Sequence, residues 1–138
     1  MKINKDSKVL IVGLGLMGGS YAKALTKRGY KVTAISDNSE SISYGLEHGM
    51  ICGGYDHVEE SVVRAADIVV FALYPEVFLD WISQYRDFLN PDALVTDISG
   101  VKQCVVYKAQ EIIGKRAHFV SSHPMAGRER SGVEHSDD

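Results

Sequence analysis

The sequence lacks most features that mark specialised classes of protein. It has two cysteines in 138 residues. Because Cys52 and Cys104 lie far apart and form no CxxC pair, we expect neither a disulfide framework nor a metal site. No apolar run approaches the roughly 20 residues that cross a bilayer, and the polar start has no apolar segment typical of a signal peptide. These absences predict a cytoplasmic protein of the reducing cytosol, with no membrane partner.

The sequence also lacks an excess of basic residues. Fifteen Lys and Arg stand against 18 Asp and Glu, for a formal net charge of -3, so we expect no nucleic-acid partner. Hydrophobic residues at 45% and charged residues at 24% exclude a disordered or collagen-like chain. The length is that of about one globular domain.

Short apolar runs alternate with longer amphipathic segments along the chain. This order predicts an α/β fold: a Rossmann-type, doubly wound, mainly parallel sheet with helices on both faces. The predicted strands are 8–12, 30–36, 50–54, 67–73, 93–98 and 118–121. The predicted helices are 16–28, 38–47, 58–65, one beginning at Pro75 with an apolar stripe as far as Leu89, and 101–113.

A glycine-rich loop separates the first predicted strand from the first helix. Gly13-Leu14-Gly15-Leu16-Met17-Gly18 fits G-x-G-x-x-G in the strand-to-helix setting that the motif requires. Gly13 allows a tight turn, Gly15 lets a pyrophosphate approach the backbone, and Gly18 lets the helix pack on the strand. All six residues are therefore predicted to bind a dinucleotide cofactor at the helix N-terminus. The alternative is that the glycines only make a turn.

Asp37 ends the second predicted strand, 19 residues beyond Gly18. Its carboxylate is placed to accept hydrogen bonds from both ribose hydroxyls, which favours NAD and repels the 2′-phosphate of NADP. Lys31 and the serines around Asp37 form no clamp for that phosphate. The alternative is that Asp37 only caps the helix beginning at Asn38.

The loops after the later strands are expected to face the cofactor, because ligands bind beyond the carboxyl ends of such strands. Tyr74 and Pro75 are candidates for the nicotinamide ribose side, although Pro75 also suits a plain first helical position. Ser99 is more simply explained as the cap of the helix that it precedes. His123 lies at a strand end beside a proline, where an imidazole can take or share a proton; the other histidines are interpreted as surface residues.

Three motifs in order carry a resemblance to a known family. GLGLMGGS at 13–20, TDISGVK at 96–102 and HPMAGRE at 123–129 together resemble the prephenate and arogenate dehydrogenases of tyrosine biosynthesis. The resemblance covers the chain from about Val9 to Gly132. It implies an NAD(P)-dependent oxidoreductase that oxidatively decarboxylates prephenate to 4-hydroxyphenylpyruvate, or arogenate to tyrosine, by hydride transfer to the nicotinamide.

The same resemblance assigns further residues. His123 matches the family's histidine, which hydrogen-bonds the reacting hydroxyl, and Glu129 matches a glutamate near the pocket mouth. Gly100 stands where many relatives have a serine, and Ser99, one residue earlier, is the candidate catalytic substitute. Gly100, Lys102 and Glu129 are predicted to line the substrate pocket.

The resemblance also implies a larger protein. Residues 1–138 then form an NAD(P)-binding Rossmann domain, apparently truncated, without the helical domain that dimerises and supplies cationic residues for the substrate carboxylates. The full-length form is expected to be a homodimer. Two alternatives stay open: another dehydrogenase that shares the first motif, such as a 3-hydroxyacid type, or a nucleotide-binding module without catalysis.

Overall fold

Six parallel strands form one sheet in the computed structural model, which describes residues 3–98 and 103–121. The strands are β1 (Lys8–Val12), β2 (Lys31–Ile35), β3 (Gly53–Tyr55), β4 (Ile68–Phe71), β5 (Leu94–Asp97) and β6 (His118–Ser121). The helices are α1 (Leu16–Lys27), α2 (Ser39–Glu47), α3 (Glu60–Ala65), α4 (Pro75–Tyr85) and α5 (Gln103–Ile113), with a 3₁₀ turn at Arg86–Phe88.

The strand order is β3-β2-β1-β4-β5-β6, and each neighbouring pair is parallel. The chain moves outward from β1 to β3, returns to pair β4 with the other side of β1, and moves outward again to β6. The order therefore reverses between β1 and β4. The Rossmann-type, doubly wound sheet predicted from the sequence is confirmed, and the carboxyl ends of all six strands share one edge.

Helices cover both faces of this sheet. In β1, Val9 and Ile11 belong to one apolar core together with Ala22 of α1 and Ile42 of α2. Leu10 and Val12 belong to a second core, with partners on α3, α4 and α5 (Val63, Phe78, Ile82, Ala109 and Ile113). Successive strand residues point to opposite faces, so β1 is apolar along its buried length because both of its faces are covered.

Local signals explain where the helices begin and end. Pro75 occupies the first turn of α4, where its missing N–H costs nothing. The Asn38 side chain accepts from the backbone N–H groups of Glu40 and Ser41 and so caps α2. Gly29 follows α1 with a φ of +91°, the left-handed conformation that favours glycine after a helix.

Several element boundaries differ from the predictions. β3 is Gly53–Tyr55 rather than 50–54, because Met50 and Ile51 pack into the core as loop residues. The predicted helix 58–65 begins only at Glu60. Over the residues described, no helix has the length and apolar character needed to cross a membrane. The same residues contain no cluster of three or more His, Cys, Asp or Glu suited to a metal ion.

Candidate cofactor site

Gly13 makes the turn that leads from β1 towards α1. Its φ is +99°, and its N–H donates to the Ile35 carbonyl oxygen at 2.8 Å. A Cβ at this position would overlap the backbone carbonyl of Ala72, which follows β4. Glycine is therefore required both by the backbone conformation and by the close approach of the neighbouring strand.

Gly18 brings the start of α1 against the end of β1. It is buried within the helix, and a Cβ there would overlap the Gly13 carbonyl oxygen and lie 3.3 Å from the Ile11 Cγ2 atom. Only a glycine permits this contact. The helix N-terminus is therefore held at the carboxyl edge of the sheet, next to the point where the strand order reverses.

Gly15 differs from both, because a Cβ on it would meet no protein atom within 4 Å. It is the N-cap of α1, which has no side-chain cap and no acidic residue in its first turn. The first turns of α2, α3 and α4 each carry a glutamate. The open space beside Gly15 and the positive end of α1, which has no acidic residue in its first turn, suit an anion such as a pyrophosphate.

The other members of the motif have different surroundings. The Leu14 side chain is buried in the core beneath α1 and α2. A contact between Leu14 and a phosphate must therefore come from its backbone. Leu16 and Met17 are half-buried at the start of α1.

Asp37 is exposed just after β2, beside the glycine loop. The cap of α2 is the neighbouring Asn38, whose Oδ1 accepts from Glu40 N at 3.0 Å and from Ser41 N at 3.3 Å. The alternative that Asp37 serves as the helix cap is therefore wrong. Its carboxylate remains exposed at the mouth of a cleft, where it can accept hydrogen bonds from a ligand.

The cleft has a volume of about 170 Å³ and lies between the loops that follow β2, β3 and β4. Its apolar wall includes Val58, Leu73, Val77 and Trp81, and its polar rim includes Asp37, Asp56 and His57. A flat heteroaromatic ring linked to a sugar matches this division, since the ring needs apolar walls and the hydroxyls need acceptors.

Trp81 supplies a buried polar atom to that wall. The side chain is 8% exposed, and its ring packs against Phe71 and Tyr85 at centroid distances of 4.9 and 5.1 Å. Its Nε1 is buried without a hydrogen-bond partner among the described residues. A buried donor of this kind is uncommon in folded proteins.

Asp56, His57 and Glu59 form a charged cluster on the loop after β3. The His57 Nδ1 lies 3.0 Å from Asp56 Oδ1, and its Nε2 lies 3.1 Å from Glu59 Oε2. The hydrogen bond to Asp56 and, second, that to Glu59 raise the pKa of His57 above its ordinary 6.5. The hydrogen bond from His57 lowers the pKa of Asp56 below 3.8.

The remaining predicted site residues divide into two groups. Tyr74 is 82% exposed and is not part of the cleft wall, whereas Pro75 occupies the first turn of α4. The second group lies outside the described residues: Ser99, Gly100, Lys102, His123 and Glu129. The structure does show that Asp97 and Ser121 are register partners at the ends of β5 and β6. The segments that carry Ser99 and His123 therefore start from adjacent strands.

A larger groove, of about 750 Å³, lies elsewhere, between α1 and α2. It is lined by residues near the C-terminal ends of α1 and α2, among them Lys27, Tyr44 and His48. Those ends lie towards the amino edge of the strands, away from the glycine loop. Since ligands of such sheets bind at the carboxyl edge, the smaller cleft beside Asp37 is the candidate site.

Sequence reasoning missed part of this cleft. Asp56 and His57 were not expected there, because the strand before them was predicted to end at Gly54 and His57 stands among polar residues. Leu73 follows β4 and Val77 lies in the first turns of α4, where the rule that ligands bind beyond strand ends would have found them.

Comparisons with known proteins agree with this geometry. The family model for the nucleotide-binding domain of prephenate dehydrogenase matches residues 21–138. A prephenate dehydrogenase from Bacillus subtilis is 32% identical over 131 residues, which are 94% of this chain and 35% of the relative. The chain thus spans about a third of the length of that relative.

Two solved structures show the same fold. A prephenate dehydrogenase from A. aeolicus, in complex with hydroxyphenyl propionate and NAD+, is 39% identical with a TM-score of 0.85, over 98% of this chain and 47% of that one. A Synechocystis arogenate dehydrogenase is 25% identical with a TM-score of 0.84, over 94% of this chain and 45% of that one.

The doubly wound sheet and its glycine loop define a domain of the nucleotide-binding class. More particularly, the chain belongs to the family of prephenate dehydrogenase nucleotide-binding domains. The resemblance seen in its three sequence motifs is therefore confirmed. The family match begins within α1, after the glycine loop, so the geometry of Gly13, Gly15 and Gly18 adds independent support.

Proposed function

We propose that this chain binds NAD and provides the hydride-transfer half of a prephenate or arogenate dehydrogenase. Its family membership supports the class of enzyme, and the binding of NAD+ by the A. aeolicus relative supports the cofactor. The observation that carries the proposal is the open space beside Gly15 at the positive end of α1. Neither protein packing nor a positive φ explains a glycine at this position.

In this proposal, the described residues bind two parts of the cofactor at two neighbouring places. The backbone N–H groups from Gly15 to Gly18 hold the pyrophosphate, and Asp37 accepts hydrogen bonds from the adenosine ribose. The apolar wall of the cleft receives the adenine. Repulsion between the Asp37 carboxylate and a 2′-phosphate favours NAD over NADP.

His123 manages the proton of the reaction in this proposal. When bound, the cofactor accepts a hydride from the ring carbon that bears the substrate hydroxyl. The neutral imidazole of His123 takes the hydroxyl proton as that carbon becomes a carbonyl. Loss of the ring carboxylate as carbon dioxide then sends its electron pair into the ring, and the oxygen regains a proton as a phenol. Aromatisation drives the step, so the protein chiefly orients the two reactants.

The assignment of Ser99, Gly100, Lys102 and Glu129 to the substrate pocket rests on the motif resemblance. The register of Asp97 with Ser121 supports it, because the segments with Ser99 and His123 leave neighbouring strands at the edge that holds the cofactor. The helical dimerisation domain, the homodimer and the cytoplasmic location are further predictions for the whole enzyme.

Calorimetric titration of the purified chain with NAD and, separately, with NADP tests the proposal. We expect saturable binding of NAD that is at least about tenfold tighter than binding of NADP, the equivalent of about 1.4 kcal/mol. Asp37→Asn should narrow that difference without unfolding the chain. A folded chain that binds neither nucleotide would overturn the proposal. Where NAD binds, turnover of prephenate and arogenate is then assayed.

A further inference from the structure

His57 lies at the rim of the cleft with both ring nitrogens directed at carboxylates. Carboxylates at neutral pH only accept hydrogen bonds, and a neutral imidazole has one N–H to donate. The two contacts, at 3.0 and 3.1 Å, are therefore satisfied together only by the doubly protonated ring. The geometry matches an imidazolium held between Asp56 and Glu59.

The cluster is open to solvent and to a ligand. Its side chains are 60%, 64% and 41% exposed for His57, Asp56 and Glu59. Asp56 and His57 line the same cleft as Asp37. A group attached to the adenosine ribose therefore experiences charges from two loops, one after β2 and one after β3.

We infer that the Asp56–His57 pair is a second determinant of the choice between NAD and NADP, at the same cleft as Asp37. This inference rests on the proposed function. The protonated His57 balances one of the carboxylates beside it, whereas a neutral His57 leaves that charge to repel a 2′-phosphate. NAD has no phosphate at this position and is affected less. The preference for NAD should therefore rise as His57 loses its proton.

Few other charged groups complicate this titration. Asp56 and Glu59 contact His57 from its own loop, the Tyr55 ring lies edge-on to it, and Asp37 shares the cleft. The walls from the β4 end and α4 contribute Leu73, Val77 and Trp81, which carry no charge there. The hydrogen bonds to Asp56 and Glu59 raise the pKa of His57. The change in the ratio of NAD to NADP affinity is therefore expected above pH 6.5.

One unit charge about 8 Å from a doubly charged 2′-phosphate in water changes the affinity for NADP by about fivefold. The phosphate has its own ionisation near pH 6, which also favours NADP binding at low pH. That contribution is common to all variants. A variant that lacks the imidazole therefore isolates the contribution of His57.

The test is the ratio of NAD to NADP affinity of the chain between pH 6 and pH 9, at low salt, by calorimetry or by competition. We compare wild type with His57→Gln and Asp56→Asn. The control is His48→Gln, the same change at an exposed histidine of the groove between α1 and α2. In wild type and in the control, the ratio should rise about fivefold more than in His57→Gln. Asp56→Asn should strengthen NADP binding severalfold at high pH.

Equal pH dependence in wild type and His57→Gln, with NAD binding intact, would overturn the inference and leave the proposed function standing. The same holds if Asp56→Asn leaves the ratio unchanged at pH 9. Absence of NAD binding by the folded wild-type chain is a different result, and it would remove the proposed function itself. Circular dichroism confirms that each variant is folded.

Discussion

Gly18 packs so closely on Gly13 that a single methyl group on Gly18 would overlap the Gly13 carbonyl oxygen. This contact sets the distance between the end of β1 and the start of α1. Gly15, between them, has open space where its side chain would be. Two glycines of one loop thus serve the fold, whereas packing does not require the third to be glycine.

This difference predicts opposite behaviour for two matched variants. Gly18→Ala should lower the free energy of unfolding by about 1–3 kcal/mol, because the backbone must shift to relieve the overlap. Gly15→Ala should leave stability nearly unchanged and weaken NAD binding by about tenfold or more, about 1.4 kcal/mol, since the methyl would occupy the proposed pyrophosphate position. Urea denaturation and calorimetry measure the two effects. Tight NAD binding by Gly15→Ala would contradict the proposed position of the pyrophosphate.

Trp81 is the one tryptophan of the sequence and forms part of the cleft wall. Its fluorescence should therefore report on the adenosine end of the cofactor. Addition of NAD should change the emission intensity in a saturable way, with the same dissociation constant as calorimetry gives. In Trp81→Phe the signal is lost while the fold is kept. An emission spectrum that stays constant at saturating NAD would place the adenosine elsewhere.

The histidine cluster makes a prediction about pH and stability. The pKa of His57 is raised by Asp56 first and Glu59 second, so Asp56→Asn should return it towards 6.5 by more than Glu59→Gln. NMR titration of the imidazole measures both shifts. Because the folded chain holds this proton more tightly than the unfolded chain does, the resulting stabilisation is complete below pH 6.5. It is lost as the pH rises through the pKa of folded His57.

The role proposed for His123 predicts a pH dependence of its own. In a preparation that turns over prephenate or arogenate, kcat/KM should fall at low pH as the imidazole becomes protonated. His123→Asn should reduce activity by about 10²–10⁴-fold and remove that decline. A decline that persists in His123→Asn would assign the proton to another group.

The cap of α2 offers a test that is separate from ligand binding. Asn38→Ala should cost about 1 kcal/mol of stability, because the backbone N–H groups of Glu40 and Ser41 lose their acceptor. Asn38→Asp keeps an acceptor and should retain most of that stability. Thermal unfolding distinguishes the two. Equal loss of stability in both variants would show that the side-chain NH2 group of Asn38, rather than its oxygen, stabilises the helix.

The central strands and the glycine loop could be predicted from the sequence for a clear reason. β1 is buried on both faces, so all of its buried residues are apolar and the apolar run ends at the last residue of the strand. Gly13, with its positive φ, then marks the turn. The edge strand β3 could not be placed so well. Met50 and Ile51 are as buried as strand residues, yet they precede the strand, and hydrophobicity alone does not separate these two cases.

The candidate site was predictable in the same uneven way. The motif spacing predicts the glycine loop as a phosphate site because phosphate binding imposes steric demands on the backbone, and it predicts Asp37 from its position just after β2. The cleft proposed for the adenosine imposes weaker demands on the sequence. Val77 and Trp81 fit the ordinary apolar face of α4, and His57 fits a surface residue. These residues line one cleft because three loops come together in the folded chain. A short stretch of sequence does not predict such a contact.

The strand order also bears on how the chain folds. β1 pairs with β2 on one side, but its other neighbour, β4, follows only after α1, β2, α2, β3 and α3 in the chain. The Lys8 N–H, for example, donates to a carboxylate 59 residues further along, that of Asp67. Closing so long a loop is slow because its entropy is lost before the contacts form. Synthesis on the ribosome must therefore deliver about half of this chain before its central strand can acquire both neighbours.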